Sequence, residues 1–210
     1  MKKNSKEKIV SAAIMLFNAK GFSGTSIRDI GEKAKVNSSN ISYYFESKHG
    51  LLEYCLTDFF EGYIKEIERG FSLLEQGAAF CLKNIAKNIM DYQYKNIHLT
   101  RLILREVSID SQVIREIMTT YLMKERYYFN KVFERGMMAK EFRTFTPEYI
   151  ILQLKGLLSM PFLNTQYMTE VLHVLPNEKY FADKYIKELF YWIDGVLCGQ
   201  KSETALLAVN

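Results

Sequence analysis

The stretch that decides the fold is Thr25 to Leu51, which reads TSIRDIGEKAKVNSSNISYYFESKHGL. Ser26 is a good helix N-cap residue, and Asp29 three positions later completes the pattern of a capping box. Asn37 can cap a second, short helix, which we predict over 38–45. A capped helix, a tight turn and a second short helix at this spacing are typical of a helix-turn-helix.

The second predicted helix has an unusual composition. Ser and Asn are mediocre helix formers, yet they recur in SSNISYYF, where only Ile41, Tyr44 and Phe45 have the character of anchors. Bases in the DNA major groove are read by short-range hydrogen bonds, which small or flat polar side chains can make. We therefore interpret this helix as a reading helix. The alternative is a solvated helical hairpin with arbitrary polar residues.

The composition favours a helical protein with a sizeable core. Of the 210 residues, 48% are hydrophobic, and none of the three prolines precedes Pro147, which favours long helices over a loop-rich β-fold. The three cysteines lack the spacing of a disulfide framework or a zinc site, and we interpret them as core thiols in a reducing cytoplasm. The sequence has no signal-peptide pattern and no run of about 18 apolar residues.

The net charge of +4 is unevenly distributed. Residues 1–52 carry nine Lys/Arg and four Asp/Glu, a net +5, whereas the remainder carries nineteen and twenty, a net −1. Positive charge therefore accompanies the predicted helix-turn-helix, as contact with the phosphate backbone requires. A solvated basic face would give the same asymmetry. The segment Lys2 to Lys8 is expected to be a basic arm, partly ordered at best.

Helical periodicity continues along the chain. Apolar residues recur at helical spacing after the head, first in a long helix that we expect to join the head rigidly to a second unit. The predicted fold class is all-α, with an N-terminal helix-turn-helix head joined by a long helix to a C-terminal helical bundle that dimerises. The predicted domains are a DNA-binding domain over 1–50, a regulatory and dimerisation domain over 51–200, and a flexible tail over 201–210.

Two later helices are candidates for a dimer face. The helix opened by Pro147 is apolar almost all round as far as Pro161, which we expect to end or kink it, and the last helix, over 180–198, carries Trp192 and several other aromatic residues. Dimerisation would let two heads read half-sites about one DNA turn apart. We expect a charge at Leu158 to break such a dimer. The alternative is that both helices belong to the bundle core.

The head resembles the TetR family of bacterial regulators. The family pattern reads GF-x-x-T-[ST]-x-R-D-I-small, then a turn valine, then a short helix ending Y-F-x-S-K. The matching residues here are Gly21, Phe22, Thr25, Ser26, Arg28, Asp29, Ile30, Gly31, Val36, Tyr44, Phe45, Ser47 and Lys48. Ser42 stands where the family commonly has Tyr, and Gly31 where Ala is usual. The first departure suggests an altered base or phosphate contact.

The resemblance extends beyond the head to a cell-division regulator of sporulating rod-shaped bacteria within that family. The stretches that carry it include FFEGY, REVSIDS, REIMTTY and MPFLNTQYMTEVLHVLP. It implies a homodimer, in the cytoplasm and on the nucleoid, that binds double-stranded DNA at palindromic sites near the replication origin. It also implies an action on the division protein FtsZ that limits Z-ring assembly and helps to position the chromosome at sporulation.

The family pattern places the DNA contacts. The candidate base-contacting residues are Ser38, Ser39, Asn40, Ser42 and Tyr43. Asn40 is the strongest of them, because a carboxamide can pair bidentately with adenine. The candidate phosphate contacts are Thr25, Ser26, Arg28, Tyr44 and Lys48. Thr25 and Ser26 lie at a helix N-terminus, where free N–H groups favour phosphate. Core packing of Tyr44 and a purely capping role for Ser26 are the alternatives.

A group of charged residues on two successive helices is a candidate partner surface. Its members are Arg101, Arg105, Glu106, Arg115 and Glu116. Arg suits interface pairing, so this group could dock an acidic partner such as FtsZ. A solvated face is the ordinary interpretation.

The sequence argues against an enzyme and leaves two functions open. No H-E-x-x-H, P-loop or G-x-S-x-G motif is present, and the three histidines are scattered, so we predict no catalytic residue, metal or cofactor. One function is a DNA-bound protein that acts on cell division. The other is a ligand-responsive repressor, since a bundle rich in Met, Tyr and Phe could line a small-molecule pocket. The same residues could simply form the core.

Overall fold

The computed structural model describes residues 4–108, 112–175 and 178–199, apart from the side chains of residues 112–114 and 199. The first two residues of the predicted basic arm, Lys2 and Lys3, and the predicted tail over 201–210 lie outside the described residues. Within the described ranges the chain is helical and contains no strand. The predicted all-α fold class is therefore confirmed.

Nine α-helices are present in the described part of the chain. They are α1 (Ser5–Lys20), α2 (Ile27–Ala34), α3 (Ser38–Phe45), α4 (Lys48–Phe71), α5 (Ala78–Lys95), α6 (Ile97–Val107), α7 (Gln112–Met138), α8 (Pro147–Leu163) and α9 (Lys179–Ile193). A 3₁₀ turn over Leu74–Gln76 precedes α5. Single π-helical turns cover Tyr167–Val171 and Asp194–Gly199.

The head consists of α1, α2 and α3, and polar caps fix where its helices begin. Ser26 Oγ accepts a hydrogen bond from the N–H of Asp29, and the Asp29 carboxylate accepts one from the N–H of Ser26. Asn37 caps α3 through the N–H of Ser39. These caps lie where the sequence predicted them, because a cap needs only neighbouring residues.

The helix α4 belongs to both the head and the body. Its apolar side chains are buried along its whole length, from Leu51 at the head to Ile67 in the body. Gly70 lies inside α4, which continues to Phe71. A Cβ at Gly70 would lie within 2.6 to 2.8 Å of Ile85, so the small residue serves a close crossing of α4 and α5 rather than a stop.

Pro161 does not end α8, which runs on to Leu163. A proline inside a helix leaves the carbonyl four residues earlier without its N–H partner. Here the carbonyl of Leu157 accepts a 2.7 Å hydrogen bond from the Tyr185 hydroxyl on α9. Burial raises the pKa of that hydroxyl to about 12. The contact with α9 therefore replaces the lost helical hydrogen bond, which a pattern along α8 alone could not predict.

The described residues include no helix of the length and apolar character that a membrane crossing needs.

Candidate nucleic-acid interface

The reading helix α3 presents a polar face and buries an apolar one. Ile41 and Phe45 are buried in the head. The predicted base-contacting residues lie on or beside the outer face, with Ser38, Ser39, Ser42 and Tyr43 exposed and Asn40 half-buried. Tyr43 has 82% of its surface exposed, so its ring is accessible to a partner.

The turn between α2 and α3 holds the two helices close together. Lys35 adopts the left-handed conformation with φ 56°, and the N–H of Val36 donates to the carbonyl of Gly31 at 3.0 Å. A Cβ at Gly31 would lie 3.2 Å from the carbonyl oxygen of Val36. The absence of a side chain at Gly31 therefore lets the backbone of the turn pass close to α2.

Two of the predicted phosphate contacts lie at the exposed N-terminal end of α2. Ser26 and Arg28 are both exposed, and Arg28 pairs with Glu32 at 3.1 Å on the helix surface. Hydrogen bonds from Ser26 lower the pKa of Asp29 from 3.8 to about 2. The Asp29 carboxylate therefore remains ionised near neutral pH. The capping box stays formed and fixes this end of α2.

Two other predicted phosphate contacts face inward. Thr25 is 1% exposed, and its hydroxyl donates to the carbonyl of Gly21 at 2.8 Å. The ammonium of Lys48 donates to the carbonyls of Phe22 and Thr25, both at 2.8 Å, and lies 4.4 Å from the Phe22 ring centroid. These groups tie the loop before α2 to the start of α4. We therefore assign both side chains to the scaffold of the head rather than to DNA.

Tyr44 lies between the two interpretations given for it. It is 38% exposed, and its ring meets the Tyr43 ring edge-on at a centroid distance of 5.1 Å. It also lies 6.2 Å from the ring of Phe45. Packing therefore fixes one side of Tyr44 while part of the side chain remains accessible.

The link from α3 to α4 is a single strained turn at Glu46. Its φ of 62° and ψ of −47° are close to those of the γ-turn with positive φ, which is rare and strained. The N–H of Ser47 donates to the carbonyl of Phe45 at 2.6 Å, closing the turn. Only one residue separates the reading helix from the N-cap of the long helix, so the two are held in a defined relation.

The comparisons with known proteins agree with this geometry. Residues 9–55 match the family model of the bacterial regulatory proteins of the tetR family. The "Probable HTH-type transcriptional regulator YttP" of Bacillus subtilis (strain 168) is 47% identical over 197 residues, which is 93% of this chain and 95% of that protein. The chain belongs to the TetR family. Its relatives are transcriptional regulators rather than enzymes, and the family binds DNA and is typically dimeric.

Solved structures of TetR-family regulators share the fold. One from Rhodococcus RHA1 covers 91% of this chain, with 98% of its own length matched, a TM-score of 0.74 and 18% identity. PfmR from Thermus thermophilus covers 90% of this chain, with 97% of its own length matched, a TM-score of 0.72 and 18% identity. At this level of identity the likeness extends to the fold alone.

The charged group predicted as a partner surface is divided by the structure. Arg101, Arg115 and Glu116 are exposed. Glu106 is only 5% exposed, so it is not available to a partner. The guanidinium of Arg105 donates to the carbonyls of Phe17, at 2.6 Å, and Asn18, at 3.4 Å. Arg105 therefore holds the end of α1 against α6 and is not a free docking residue.

A cavity of about 230 Å³ lies within the body of this TetR-family chain. Five helices, α4 to α8, contribute to its wall. The lining residues are Phe59, Phe60, Tyr63, Gln93, Leu104, Val107, Ser108, Met118, Leu122, Lys155, Leu158, Ser159 and Leu163. The apolar residues at helical spacing thus enclose a space as well as forming a core, two roles that periodicity alone could not distinguish.

A buried carboxylate lies beside this cavity, and no sequence pattern predicted it. Glu125 on α7 is 3% exposed. It accepts a 2.6 Å hydrogen bond from the Tyr63 hydroxyl and pairs with the Lys155 ammonium at 2.5 Å. Burial, together with Glu125, raises the pKa of Tyr63. The three residues lie on three different helices, so no local motif could have brought them together.

The helices α8 and α9 combine core residues with an exposed apolar face. Leu158 is 1% exposed and packs inside the protomer, so it is not the interface residue that the sequence suggested. Large apolar side chains on the outer face of the two helices are exposed instead. They are Tyr149, Leu152, Met160, Tyr180 and Tyr191.

Proposed function

We propose that this chain is a homodimeric, sequence-specific DNA-binding protein that binds palindromic sites near the replication origin and limits FtsZ assembly during sporulation. The stretches outside the head that resemble the cell-division regulator RefZ support this proposal. Such stretches differ widely among TetR-family proteins, whose heads are more alike. In this function the protein acts on the nucleoid.

The observation that supports DNA reading is the exposed polar face of α3 beside Ser26 and Arg28. The base-facing set proposed is Ser38, Ser39, Asn40, Ser42 and Tyr43, since these side chains lie on or next to that face. Ser26, Arg28 and the accessible part of Tyr44 are the proposed phosphate contacts. Phosphate contacts orient a protein on DNA, and base contacts give the sequence preference.

The DNA part of the proposal is tested at Asn40. Genomic DNA bound by the protein is recovered and sequenced to define the site, and binding to that site and to a scrambled duplex is then measured by fluorescence anisotropy. Replacing Asn40 with Ala is expected to weaken binding to the cognate site by about 1–3 kcal/mol, because a bidentate base contact is lost. Binding to the scrambled duplex is expected to change little. An unchanged preference would exclude Asn40 from base reading.

The division part of the proposal is tested at the exposed arginines. The proposed docking residues are Arg101, Arg115 and Glu116. FtsZ assembly is followed by light scattering with the protein and its operator DNA present. The double variant Arg101→Gln with Arg115→Gln is expected to lose the effect on assembly, since one Arg anchor in an interface can contribute about 2 kcal/mol or more.

A matched control separates this surface from net charge. The double variant Arg135→Gln with Arg143→Gln removes the same charge elsewhere and is expected to act like the unaltered protein. Operator affinity should be the same for both double variants, because none of the four residues belongs to the head. If the unaltered protein has no effect on FtsZ, the division function is excluded. If both double variants act fully, only this docking surface is excluded.

The cavity favours a second candidate function, a ligand-responsive transcriptional repressor. Ligand sites are usually enclosed, mainly apolar spaces with a few polar groups, and the cavity enclosed by α4 to α8 has this character. In this function, filling the cavity changes the affinity of the head for DNA. Release of operator DNA by a cavity-binding molecule would support it.

A further inference from the structure

One residue in the wall of the cavity has a side-chain oxygen without a partner among the described residues. Gln93 lies on α5, lines the cavity and is 2% exposed. Its side-chain oxygen Oε1 is buried and makes no hydrogen bond within the described part of the chain. Leaving a buried acceptor without a partner is destabilising, so its presence in the wall of a cavity requires an explanation.

The position of Gln93 is fixed by its backbone. Its carbonyl accepts a 3.0 Å hydrogen bond from the hydroxyl of Thr100 on α6, and Thr100 is itself fully buried. The backbone of Gln93 is therefore held between two helices, and its side chain belongs to the buried wall of the cavity rather than to the surface. Around it, Leu104, Met118 and Leu158 provide apolar wall.

The charges beside the cavity already balance. The ammonium of Lys155, which lines the cavity, pairs with the buried carboxylate of Glu125. Among the described residues at the cavity, a ligand that carries its own charge would meet no unpaired opposite charge, and it would lose its hydration on entry. The wall thus favours an uncharged molecule.

We propose that the cavity binds an uncharged, mainly apolar molecule that donates one hydrogen bond, from a hydroxyl or an amide N–H, to Oε1 of Gln93. This inference rests on the ligand-responsive function and names its ligand class. An engineered cavity of about 150 Å³ holds benzene, so about 230 Å³ accommodates roughly nine non-hydrogen atoms on the same scale.

The test compares four probes of matched size. They are 3-phenylpropan-1-ol, butylbenzene, 3-phenylpropanoate and 3-phenylpropylamine, which differ only in the group at the end of the chain. Binding is followed in the full-length protein by the ¹³C-methyl signal of Met118, whose side chain lines the cavity. The alcohol is expected to bind at least fivefold more tightly than each of the other three, because it alone is neutral and donates a hydrogen bond.

Gln93→Leu removes the acceptor while nearly keeping the volume. This variant is expected to fold, because replacing an unpaired buried polar group by an apolar one is close to neutral or stabilising. The alcohol should bind it at least fivefold more weakly, and butylbenzene should bind it more tightly than it binds the unaltered protein. Gln76→Leu, the same substitution at an exposed position, is the control and should change neither affinity.

The results of this test are distinct. Tighter binding of the carboxylate or the amine than of the alcohol would overturn the inference, as would an equal affinity of the alcohol for the Gln93→Leu variant or no shift of Met118 with any probe. Binding of the alcohol that depends on Gln93 supports the inference. If such binding leaves operator affinity unchanged, the ligand class stands and the ligand-responsive function fails.

Discussion

Lys48 illustrates how a residue matched to a family pattern can have a different role from the one expected. Its ammonium is held by two backbone carbonyls and an aromatic ring inside the head. Lys48→Met is therefore expected to lower the free energy of unfolding by about 1–2 kcal/mol, since hydrogen bonds to charged groups are among the stronger ones. Urea unfolding followed by circular dichroism measures this change.

The salt dependence of DNA binding provides the contrast with Lys48. Arg28 is exposed and close to the expected path of the DNA backbone, so Arg28→Gln should reduce the slope of log K against log salt by about one contact. Lys48→Met, assayed on the same duplex under conditions where it is folded, should leave that slope almost unchanged. If Arg28→Gln and Lys48→Met reduced the slope equally, Lys48 would be a phosphate contact after all.

The capping box of α2 predicts a pH dependence. The pKa of Asp29 is lowered from 3.8 to about 2, chiefly by a hydrogen bond from the Ser26 hydroxyl. The contribution of the Asp29 carboxylate to stability is therefore fully present above pH 3.8 and is lost as the pH falls towards 2. Ser26→Ala should move the pKa of Asp29 back towards its ordinary value and make the acid loss of stability shallower. Carboxyl ¹³C titration by NMR measures the first effect, with Ser39→Ala as a control that should leave Asp29 unaltered.

At the scale of helices, capping residues in the sequence predicted where the helices of the head begin. The three helices of the head begin at caps, and a cap is readable from three or four residues. The sequence could not predict that α8 continues through Pro161, because the compensating Tyr185 hydroxyl lies on α9. It also could not separate the buried Leu158 from the exposed Leu152, since both belong to a helix that is apolar almost all round.

That distinction makes the dimer face testable. Leu152 is 70% exposed on α8, so Leu152→Glu is expected to leave the fold intact and to weaken the proposed homodimer, because a charge would be buried at the interface without a partner. Analytical ultracentrifugation measures the association. Lys155 and Leu158 line the cavity, so substitutions at these positions would alter the stability of the protomer as well as its association. Val171→Glu, at another exposed apolar residue outside α8 and α9, is the control, and dimers that persist after Leu152→Glu would place the interface elsewhere.

At the scale of the molecule, the contacts between head and body depend on residues far apart in the sequence. Arg105 on α6 binds the carbonyls at the end of α1, and the Asn18 side chain donates to the carbonyl of His98 at 2.7 Å. These residues are separated by 80 positions or more. A charge pattern had suggested a surface role for Arg105, because sequence shows which residues are charged but not which of them the fold turns inward.

Because head and body share α4, we expect that the predicted boundary at residue 50 does not separate two independent folding units. Leu51, Leu56 and Phe59 follow that boundary directly and are buried, and a fragment ending at residue 50 would lack all three. Differential scanning calorimetry of the full chain is therefore expected to show one cooperative transition, with the van't Hoff enthalpy equal to the calorimetric enthalpy. Two resolved transitions would contradict this. Limited proteolysis should likewise release no stable head, since a cut within α4 would unfold the parts on both sides.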